Sequence, residues 1–326
     1  MERWNDLAAV PSGWGRCVVT IGVFDGVHRG HQAIIRRAVE QARADGLPSV
    51  LLTFVPHPSE VVRPGSHPPA LTTLPRRSEL VEGLGVDVFC ALPFTLELSR
   101  MSPAEFAHET LVSRLHAAHV VVGANFRFGH RAAGDVATLA ELGRSFGYRA
   151  TGVPLLAEDD GTVDADTPIS STYVRACVGA GDMRAAAHAL GRPHRLDGVV
   201  ERGDQRGRKL GFPTANMRLE PHAAVPADGV YAGRVVRLDR FGSTVPHSLL
   251  GTTAISVGTN PTFQGRERRV EAHILDFDGD LYGDQLGVEF THRLRGMERY
   301  DTLDELVDQM TADCARAREL VAGLDD

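Results

Sequence analysis

Two histidines, His28 and His31, stand three residues apart in a glycine-rich stretch near the start of the chain. Residues 22–31 read GVFDGVHRGH, after a short β-branched run and ahead of an amphipathic helical pattern. The glycines let a ligand approach the backbone, and the start of a helix presents unpaired N–H groups and a partial positive charge. Histidine side chains there can donate hydrogen bonds to phosphate oxygens. The stretch therefore predicts a triphosphate site.

Other interpretations of this stretch remain open. It has neither the G-x-x-x-x-G-K-[ST] spacing nor the G-x-G-x-x-G dinucleotide spacing, and a glycine turn with two surface histidines would also account for it. A zinc site at His28 and His31 would need a third ligand, and the sequence identifies none nearby.

A second group of polar residues lies in the other half of the chain, where residues 207–216 read GRKLGFPTAN. Thr214 and Asn216 are two residues apart, so an extended backbone places their hydroxyl and amide oxygens on one face. Oxygen ligands of this kind suit a hard Mg²⁺ ion that keeps waters and bridges phosphates. A glycine-rich turn bent at Pro213 is the plainer alternative, but such a turn does not require Thr214 and Asn216.

An acid is needed near such a metal if a hydroxyl is to be deprotonated, and Glu271 is the candidate. Residues 269–275 read RVEAHIL, with apolar residues at positions 270, 272 and 274. This alternation predicts a strand whose apolar side faces inward while Glu271 and His273 face the other way. A carboxylate on such a strand is otherwise only a solvated surface group.

The elements that must position these residues differ between the two halves of the chain. In the first half, β-branched runs alternate with helical patterns, which predicts a doubly wound α/β domain. Ser102 and Glu105 form the capping box of one of its helices. We expect a helix over residues 31–44 and five strands, at residues 17–23, 49–54, 86–92, 119–122 and 148–154.

Beyond a short helix at residues 183–190, the helical spacing disappears for about a hundred residues. Short strands separated by Gly, Pro and Asp clusters predict an antiparallel sandwich or small β-barrel. A closing helix is capped by Thr302 and Glu305 and stops at Gly323. We expect the domains to span residues 1–186 and 187–326. The strands are expected at residues 196–200, 229–238, 249–257, 269–275 and 286–291.

Composition excludes several classes of protein. The chain has 326 residues, 43% of them hydrophobic and 24% charged, with a formal net charge of −7. An acidic surface disfavours nucleic acid as a partner. Four widely spaced cysteines without a C-x-x-C pair favour reduced thiols and no structural zinc. No run of residues is long and apolar enough for a membrane helix, so we expect a cytoplasmic protein.

Residues 28–31 match the H-x-G-H pattern and resemble the signature of nucleotidylyltransferases, which transfer a nucleoside monophosphate from an NTP and release pyrophosphate. Three further segments resemble the FMN adenylyltransferase module: TFVPHP at residues 53–58, GANFRFG at 123–129 and ISSTYVR at 169–175. All three are predicted at the carboxyl ends of strands or at helix starts, where open α/β sheets bind ligands.

The second half resembles riboflavin kinases in its P-T-A-N motif at residues 213–216 and in VEAHILD at residues 270–276. From about residue 17 to residue 320, the chain therefore resembles the prokaryotic bifunctional riboflavin kinase/FAD synthetase. That resemblance implies a nucleotidylyltransferase domain with a Rossmann-like sheet, followed by an antiparallel β-barrel riboflavin kinase domain with a C-terminal helix.

The resemblance also implies roles for individual residues. Glu271 becomes the general base for the 5′-hydroxyl of riboflavin, His28 and His31 stabilise the triphosphate, and Thr214 and Asn216 hold Mg²⁺. The expected flavin contacts of the first domain are Asn125, Phe126 and Pro58. The expected ATP and phosphate contacts are Gly22, Phe24, Asp25, Gly30, Ser171, Thr172, Arg175, Gly207 and Gly211.

We therefore expect two reactions: ATP and riboflavin give FMN and ADP, and a second ATP and FMN give FAD and pyrophosphate. The expected partners are small molecules, with weak self-association allowed. A different acceptor, such as a mononucleotide or phosphopantetheine, would explain the first half but leave the P-T-A-N segment without a role. A non-catalytic flavin-binding regulator is the alternative of another class, although both Glu271 and the histidine pair are present.

Overall fold

The computed structural model describes residues 1–156, 168–203, 206–262 and 265–323. Contacts between Cα atoms divide the chain into two units. The N-terminal unit comprises Met1–Pro68 and Arg77–Ser170, and the C-terminal unit comprises Pro69–Arg76 and Ser171–Asp326. This division falls 16 residues before the domain boundary predicted after residue 186, which stays a prediction.

The N-terminal unit is built on a parallel sheet that has six strands among the described residues. They are β1 (Glu2–Trp4), β2 (Cys17–Ile21), β3 (Ser49–Val55), β4 (Val88–Pro93), β5 (Ala117–Gly123) and β6 (Arg149–Val153). Their order across the sheet is β1-β4-β3-β2-β5-β6. The doubly wound α/β expectation is confirmed, and the five predicted strands are β2 to β6.

The central strands explain why this sheet forms. Every residue of β2 and β5 is buried, as expected for parallel strands covered on both faces. The helices and helical turns before residue 171 are α1 (Arg29–Asp45), α2 (Pro58–Val62), α3 (Leu74–Glu82), α4 (Leu96–Arg100), α5 (Pro103–Phe106), a π-helix (Ala107–Arg114), α6 (Val136–Phe146) and two 3-10 turns (Leu7–Ala9 and His130–Ala132). The capping box of Ser102 and Glu105 is present at α5.

Helix α1 begins two residues earlier than the pattern predicts, because His28 itself serves as its N-cap. Its buried face is Ile35, Ala38, Val39 and Ala42, and it ends at Gly46, whose φ of 65° is left-handed. The helix therefore starts directly at the glycine-rich stretch and not after it.

The C-terminal unit contains a closed antiparallel barrel of six strands among the described residues. They are β7 (His194–Glu201), β8 (Ala215–Leu219), β9 (Gly229–Leu238), β10 (Thr244–Thr262), β11 (Gly265–Ile274) and β12 (Gln285–Arg295), in the order β10-β11-β8-β7-β12-β9. Of the two expected architectures, the barrel is the observed one. Strand β8 was not predicted.

The helices of the C-terminal unit are α7 (Ser171–Ala180), α8 (Met183–Leu190), α9 (Arg206–Lys209) and α10 (Leu303–Ala322). Helix α10 begins with the predicted capping box of Thr302 and Glu305. Its residues Ala317 and Val321 pack with Ala232 of β9, so its C-terminal half is fixed on the barrel. No helix in the described part of the chain is long and apolar enough to span a bilayer.

Candidate active sites

The loop with the two histidines lies at the point where the order of strands reverses. From β2 the chain continues to β3 on one side, whereas β5 pairs with β2 on the other side. In open α/β sheets, ligands bind beyond the carboxyl ends of the strands at such a switch point. The GVFDGVHRGH stretch follows β2 and the GANFRFG stretch begins at the end of β5, so two of the predicted segments meet there.

The structure brings His28 and His31 into direct contact. Their rings are stacked with centroids 3.6 Å apart and an interplanar angle of 24°. The Nδ1 atom of His28 accepts a hydrogen bond from the backbone N–H of His31 at 3.3 Å. Because that nitrogen is an acceptor, neutral His28 carries its proton on Nε2.

Gly30 allows a close approach between the start of α1 and the segment that precedes α7. A Cβ atom placed on Gly30 would lie 3.2 Å from His28 Nδ1 and 3.2 Å from the carbonyl oxygen of Ile169. Gly22 is similarly restricted, since its Cβ would lie 3.0–3.2 Å from the ring of Phe24. Both predicted phosphate-site glycines are therefore positions with little space for a side chain.

Phe24 and Asp25 are buried, and the structure shows what each contacts. Phe24 has a left-handed φ of 52° and meets the ring of His31 edge-on, with centroids 5.2 Å apart. The Asp25 carboxylate forms a buried ion pair with Arg77 Nη2 at 3.4 Å. Arg77 Nη1 also donates to the carbonyl oxygen of Val23 at 3.0 Å. These contacts hold the loop in shape, and the predicted ATP contacts of Phe24 and Asp25 stay predictions.

Arg77 is a residue of this site that the sequence analysis missed. It stands 52 positions from Asp25, and no local pattern links the two. Thr53, within the TFVPHP segment, likewise donates to Val23 O at 2.9 Å. The backbone of the GVFDGVHRGH stretch is thus held at Val23 by two side chains from outside it.

The residues expected to contact the flavin are exposed or half-buried. Asn125 is exposed, and Phe126 is half-buried with its ring stacked on Phe128 at 5.6 Å and 13°. Pro58 is half-buried at the first position of α2. A half-buried aromatic ring and an exposed amide beyond the end of β5 are available to a ligand, and their flavin role stays a prediction.

Ser171, Thr172 and Arg175 lie in the first turns of α7, which belongs to the C-terminal unit. Arg175 Nε donates to the carbonyl oxygen of Pro69 at 2.7 Å within that unit. The predicted phosphate contacts of these three residues therefore stay predictions.

In the barrel, the structure brings Thr214, Asn216 and Glu271 together. Strands β8 and β11 pair so that Asn216 lies directly opposite Glu271, which places both side chains on one face. The Thr214 hydroxyl donates to Glu271 Oε2 at 3.4 Å, and Asn216 Nδ2 donates to the carbonyl oxygen of Thr214 at 3.4 Å. Residues 270, 272 and 274 of β11 are buried as the alternation predicts.

The turn before β8 is held by glycines and by a histidine. A Cβ atom on Gly207 would collide with the carbonyl oxygen of Phe212, and Gly211 has a left-handed φ of 87°. His273 Nδ1 lies 2.8 Å from the carbonyl oxygen of Pro213, next to Thr214. The structure therefore gives Gly207 and Gly211 a conformational role, and their contact with ATP stays a prediction.

Two cavities meet at Thr214. The first, about 470 Å³, is lined by Thr214, Asn216 and the turn around Asp280 and Tyr282. The second, about 570 Å³, is lined by Thr214, Glu271, Phe212 and the start of α10. Thr214 lines both cavities, and its hydroxyl contacts the Glu271 carboxylate in the second one. A phosphoryl donor in one cavity would therefore lie next to an acceptor in the other. The sequence analysis missed the second cavity because its walls come from distant segments.

Two family models match the chain: one described as FAD synthetase over residues 10–171 and one described as riboflavin kinase over residues 190–321. The bifunctional riboflavin kinase/FMN adenylyltransferase of Pseudomonas fluorescens is 39% identical over 94% of this chain and 93% of its own length. The protein of the same description from Listeria monocytogenes is 35% identical over 100% of this chain and 96% of its own length. A crystal structure described as a macrolide-efflux protein from Streptococcus pneumoniae has 31% identity and a TM-score of 0.84, covering 97% of this chain and 98% of that one. The fold of the whole chain therefore has a counterpart in a solved structure.

Proposed function

This chain belongs to the family of bifunctional riboflavin kinases/FMN adenylyltransferases, and we propose from that premise how its residues divide the work. It makes FMN and ADP from riboflavin and ATP, and it then makes FAD and pyrophosphate from FMN and a second ATP. The barrel carries the first reaction and the parallel-sheet unit carries the second.

The contact between Thr214 and Glu271 at the meeting of two cavities is the observation that supports the kinase site most directly. ATP occupies the cavity beside Asn216 and the Asp280 turn, and riboflavin occupies the cavity beside Glu271. Glu271 takes the proton of the ribityl 5′-hydroxyl, whose oxygen attacks the γ-phosphorus, and ADP leaves. Holding both substrates in line supplies much of the acceleration.

The residues present fit a Mg²⁺ ion, because Thr214 and Asn216 offer hydroxyl and amide oxygens as donors. The described residues contain no group of three or more His, Cys, Asp or Glu side chains placed to hold a metal. We assign Thr214 and Asn216 as the ligands. When bound, the ion would neutralise phosphate charge on ATP.

In the parallel-sheet unit, a phosphate oxygen of FMN attacks the α-phosphorus of ATP, and pyrophosphate leaves. FMN is itself the nucleophile, so no residue of the chain needs to form a covalent intermediate. The Nε2–H of His28 and the N–H groups at the start of α1 donate to the charged phosphate oxygens, as the helix N-terminus favours. The half-buried ring of Phe126 and the side chains of Asn125 and Pro58 contact the flavin.

Incubation of the purified chain with riboflavin, ATP and MgCl₂, followed by chromatography, tests the whole scheme. FMN should accumulate first and FAD later, and EDTA should abolish both. Formation of FMN without FAD would contradict the proposed adenylylation of FMN. Adenylylation of phosphopantetheine or a mononucleotide instead of FMN would replace it with another acceptor, and riboflavin binding without turnover would indicate a regulator. Action in the cytoplasm without a nucleic-acid partner remains our expectation.

A further inference from the structure

A charged pair joins the last residue of β12 to the middle of α10. Arg295 Nε lies 3.1 and 3.0 Å from the two carboxylate oxygens of Asp313, and Arg295 Nη2 donates to Oδ2 at 2.7 Å. Gln309, one turn earlier in α10, donates to Asp313 Oδ1 at 3.0 Å. The side chains of Arg295 and Asp313 are only 16% and 8% exposed. Charge-assisted hydrogen bonds between side chains this buried hold the two residues in a fixed relative orientation.

The chain between these two residues forms one wall of the 570 Å³ cavity. Met297 and Tyr300 come from the loop after β12, while Leu306 and Met310 come from the start of α10, and all of them line the cavity. Both Arg295 and Asp313 line it as well. The charged pair therefore closes the loop of chain that builds this wall.

The two halves of α10 are held differently. The buried residues of the helix are Asp313, Ala317 and Val321, four residues apart, and the last two pack on Ala232. The turns before Asp313 have no buried residue, although they carry the apolar side chains Leu306 and Met310. Asp313 is thus the buried residue of α10 nearest to the N-terminal turns, which face the cavity.

We propose that Arg295 and Asp313 are positioning residues that hold the wall of the riboflavin cavity in place before the flavin binds. The inference rests on the proposed function, in which this cavity receives the flavin ring. A wall already fixed in its bound position lowers the cost of ordering on binding. The pair therefore acts on flavin affinity, and the phosphoryl-transfer residues Thr214, Asn216 and Glu271 remain untouched by its loss.

Steady-state kinetics of FMN formation with Asp313→Asn test this. We expect the KM for riboflavin to rise about tenfold, with the KM for ATP and kcat at saturating riboflavin within about twofold of the unmodified chain. Gln309→Ala removes only one hydrogen bond and should raise the riboflavin KM about two- to threefold. If Asp313→Asn does not fold, Gln309→Ala still decides the matter.

Arg318→Gln is the matched control, because Arg318 pairs with Asp276 at 2.7 Å from the same helix but at an exposed place, with side chains 58% and 74% accessible. It should leave the riboflavin KM unchanged. An equal rise in this control, or a fall in kcat without a change in riboflavin KM, would overturn the proposal. Leu306→Asp distinguishes failure of the proposed riboflavin cavity from failure of the positioning role. If Leu306→Asp leaves the riboflavin KM unchanged, the cavity does not bind riboflavin. If Leu306→Asp raises the riboflavin KM but Asp313→Asn and Gln309→Ala do not, only the positioning role is rejected.

Discussion

In the proposed mechanism, Glu271 is the residue on which the kinase chemistry depends most directly. Its carboxylate accepts from Thr214 and lies opposite Asn216 in the barrel. Glu271→Gln keeps an acceptor for Thr214 but cannot take a proton, so we expect riboflavin phosphorylation to fall about 10²- to 10⁴-fold. Conversion of FMN to FAD should continue at the unmodified rate when FMN is supplied, so chromatography of two separate reactions, one started from riboflavin and one from FMN, measures both steps.

Glu298→Gln is the control for that change. Glu298 is an exposed carboxylate that lines the same cavity and bonds to the hydroxyl of Tyr300 at 3.2 Å. We expect it to leave the rate of phosphorylation within about twofold. Phosphorylation by Glu271→Gln at a rate within a few-fold of the unmodified chain would reject Glu271 as the base.

The observed capping role and the proposed catalytic role of His28 can be separated by one substitution. Its Nδ1 caps α1, and in the proposed mechanism its Nε2–H donates to phosphate. Asparagine is among the best N-cap residues, so His28→Asn should change the free energy of unfolding by less than about 1 kcal/mol. FAD formation should nevertheless fall about 10²-fold, because a donor to the charged transition state is lost.

Denaturant titrations and FMN adenylylation rates for His28→Asn provide these two numbers. His108→Asn, at an exposed histidine of the same unit, should change neither. If His28→Asn forms FAD normally, the histidine is only a cap. If the kinase rate falls equally, its role is structural.

Individual residues could be predicted from sequence where a local spacing exposed them. His28, His31, Thr214, Asn216 and Glu271 stand in short motifs, and the structure brings each group together as expected. Arg77 and the Arg295–Asp313 pair were not predicted, since their partners are 52 and 18 residues away. Charge pairs between residues far apart in the chain leave no periodic signal in one sequence, so these residues could be identified only in the folded structure.

The elements that were not predicted individually are strands β1 and β8 and helices α2, α3, α4, α6 and α9. Strand β1 has three residues, too few for a period of two to be visible. Strand β8, ANMRL, begins two residues after Pro213, so its start resembles a continued turn. Helix α8 and strand β9 were predicted with their observed bounds. Strand β8 could be identified only from its pairing with β11 in the folded structure.

A substitution at Gly30 tests whether the geometry at the start of helix α1 matters for FMN adenylylation. Its Cβ would lie 3.2 Å from both His28 Nδ1 and Ile169 O, so Gly30→Ala must displace the capping histidine or the segment before α7. We expect the kcat/KM for FMN adenylylation to fall about tenfold, with riboflavin phosphorylation unchanged.

Gly179→Ala, near the end of helix α7, is the matched substitution because no atom lies within 4 Å of its Cβ position. It should raise the free energy of unfolding by about 0.5–1 kcal/mol through helix propensity and leave both activities unchanged. Normal adenylylation by Gly30→Ala would show that the contact at residue 30 has no catalytic consequence.

Considered as a whole, the chain offers a way to follow one of its two units separately. It has two tryptophans, and both lie in the N-terminal unit, where the rings of Trp4 and Trp14 meet edge-on with centroids 4.9 Å apart. Trp4 belongs to the same core cluster as Cys17, Cys90 and Tyr148. Tryptophan fluorescence therefore reports the unfolding of the core that holds these three ionisable groups.

Burial raises the pKa of Cys17 and of Cys90 from 9.0 to about 12, and that of Tyr148 from 10.0 to about 12. Because the folded pKa values are raised, the stability tied to these groups is fully present below pH 9 and is lost as pH rises toward 12. From pH 7.5 to pH 10, the free energy of unfolding of the N-terminal unit should fall by about 3 kcal/mol, about 1.4 kcal/mol of it for each thiol. Urea titrations followed by tryptophan fluorescence measure this fall, and Cys90→Ala should reduce it by about 1.4 kcal/mol. A fall of the same size in Cys90→Ala, or stability that does not change up to pH 10, would contradict the prediction.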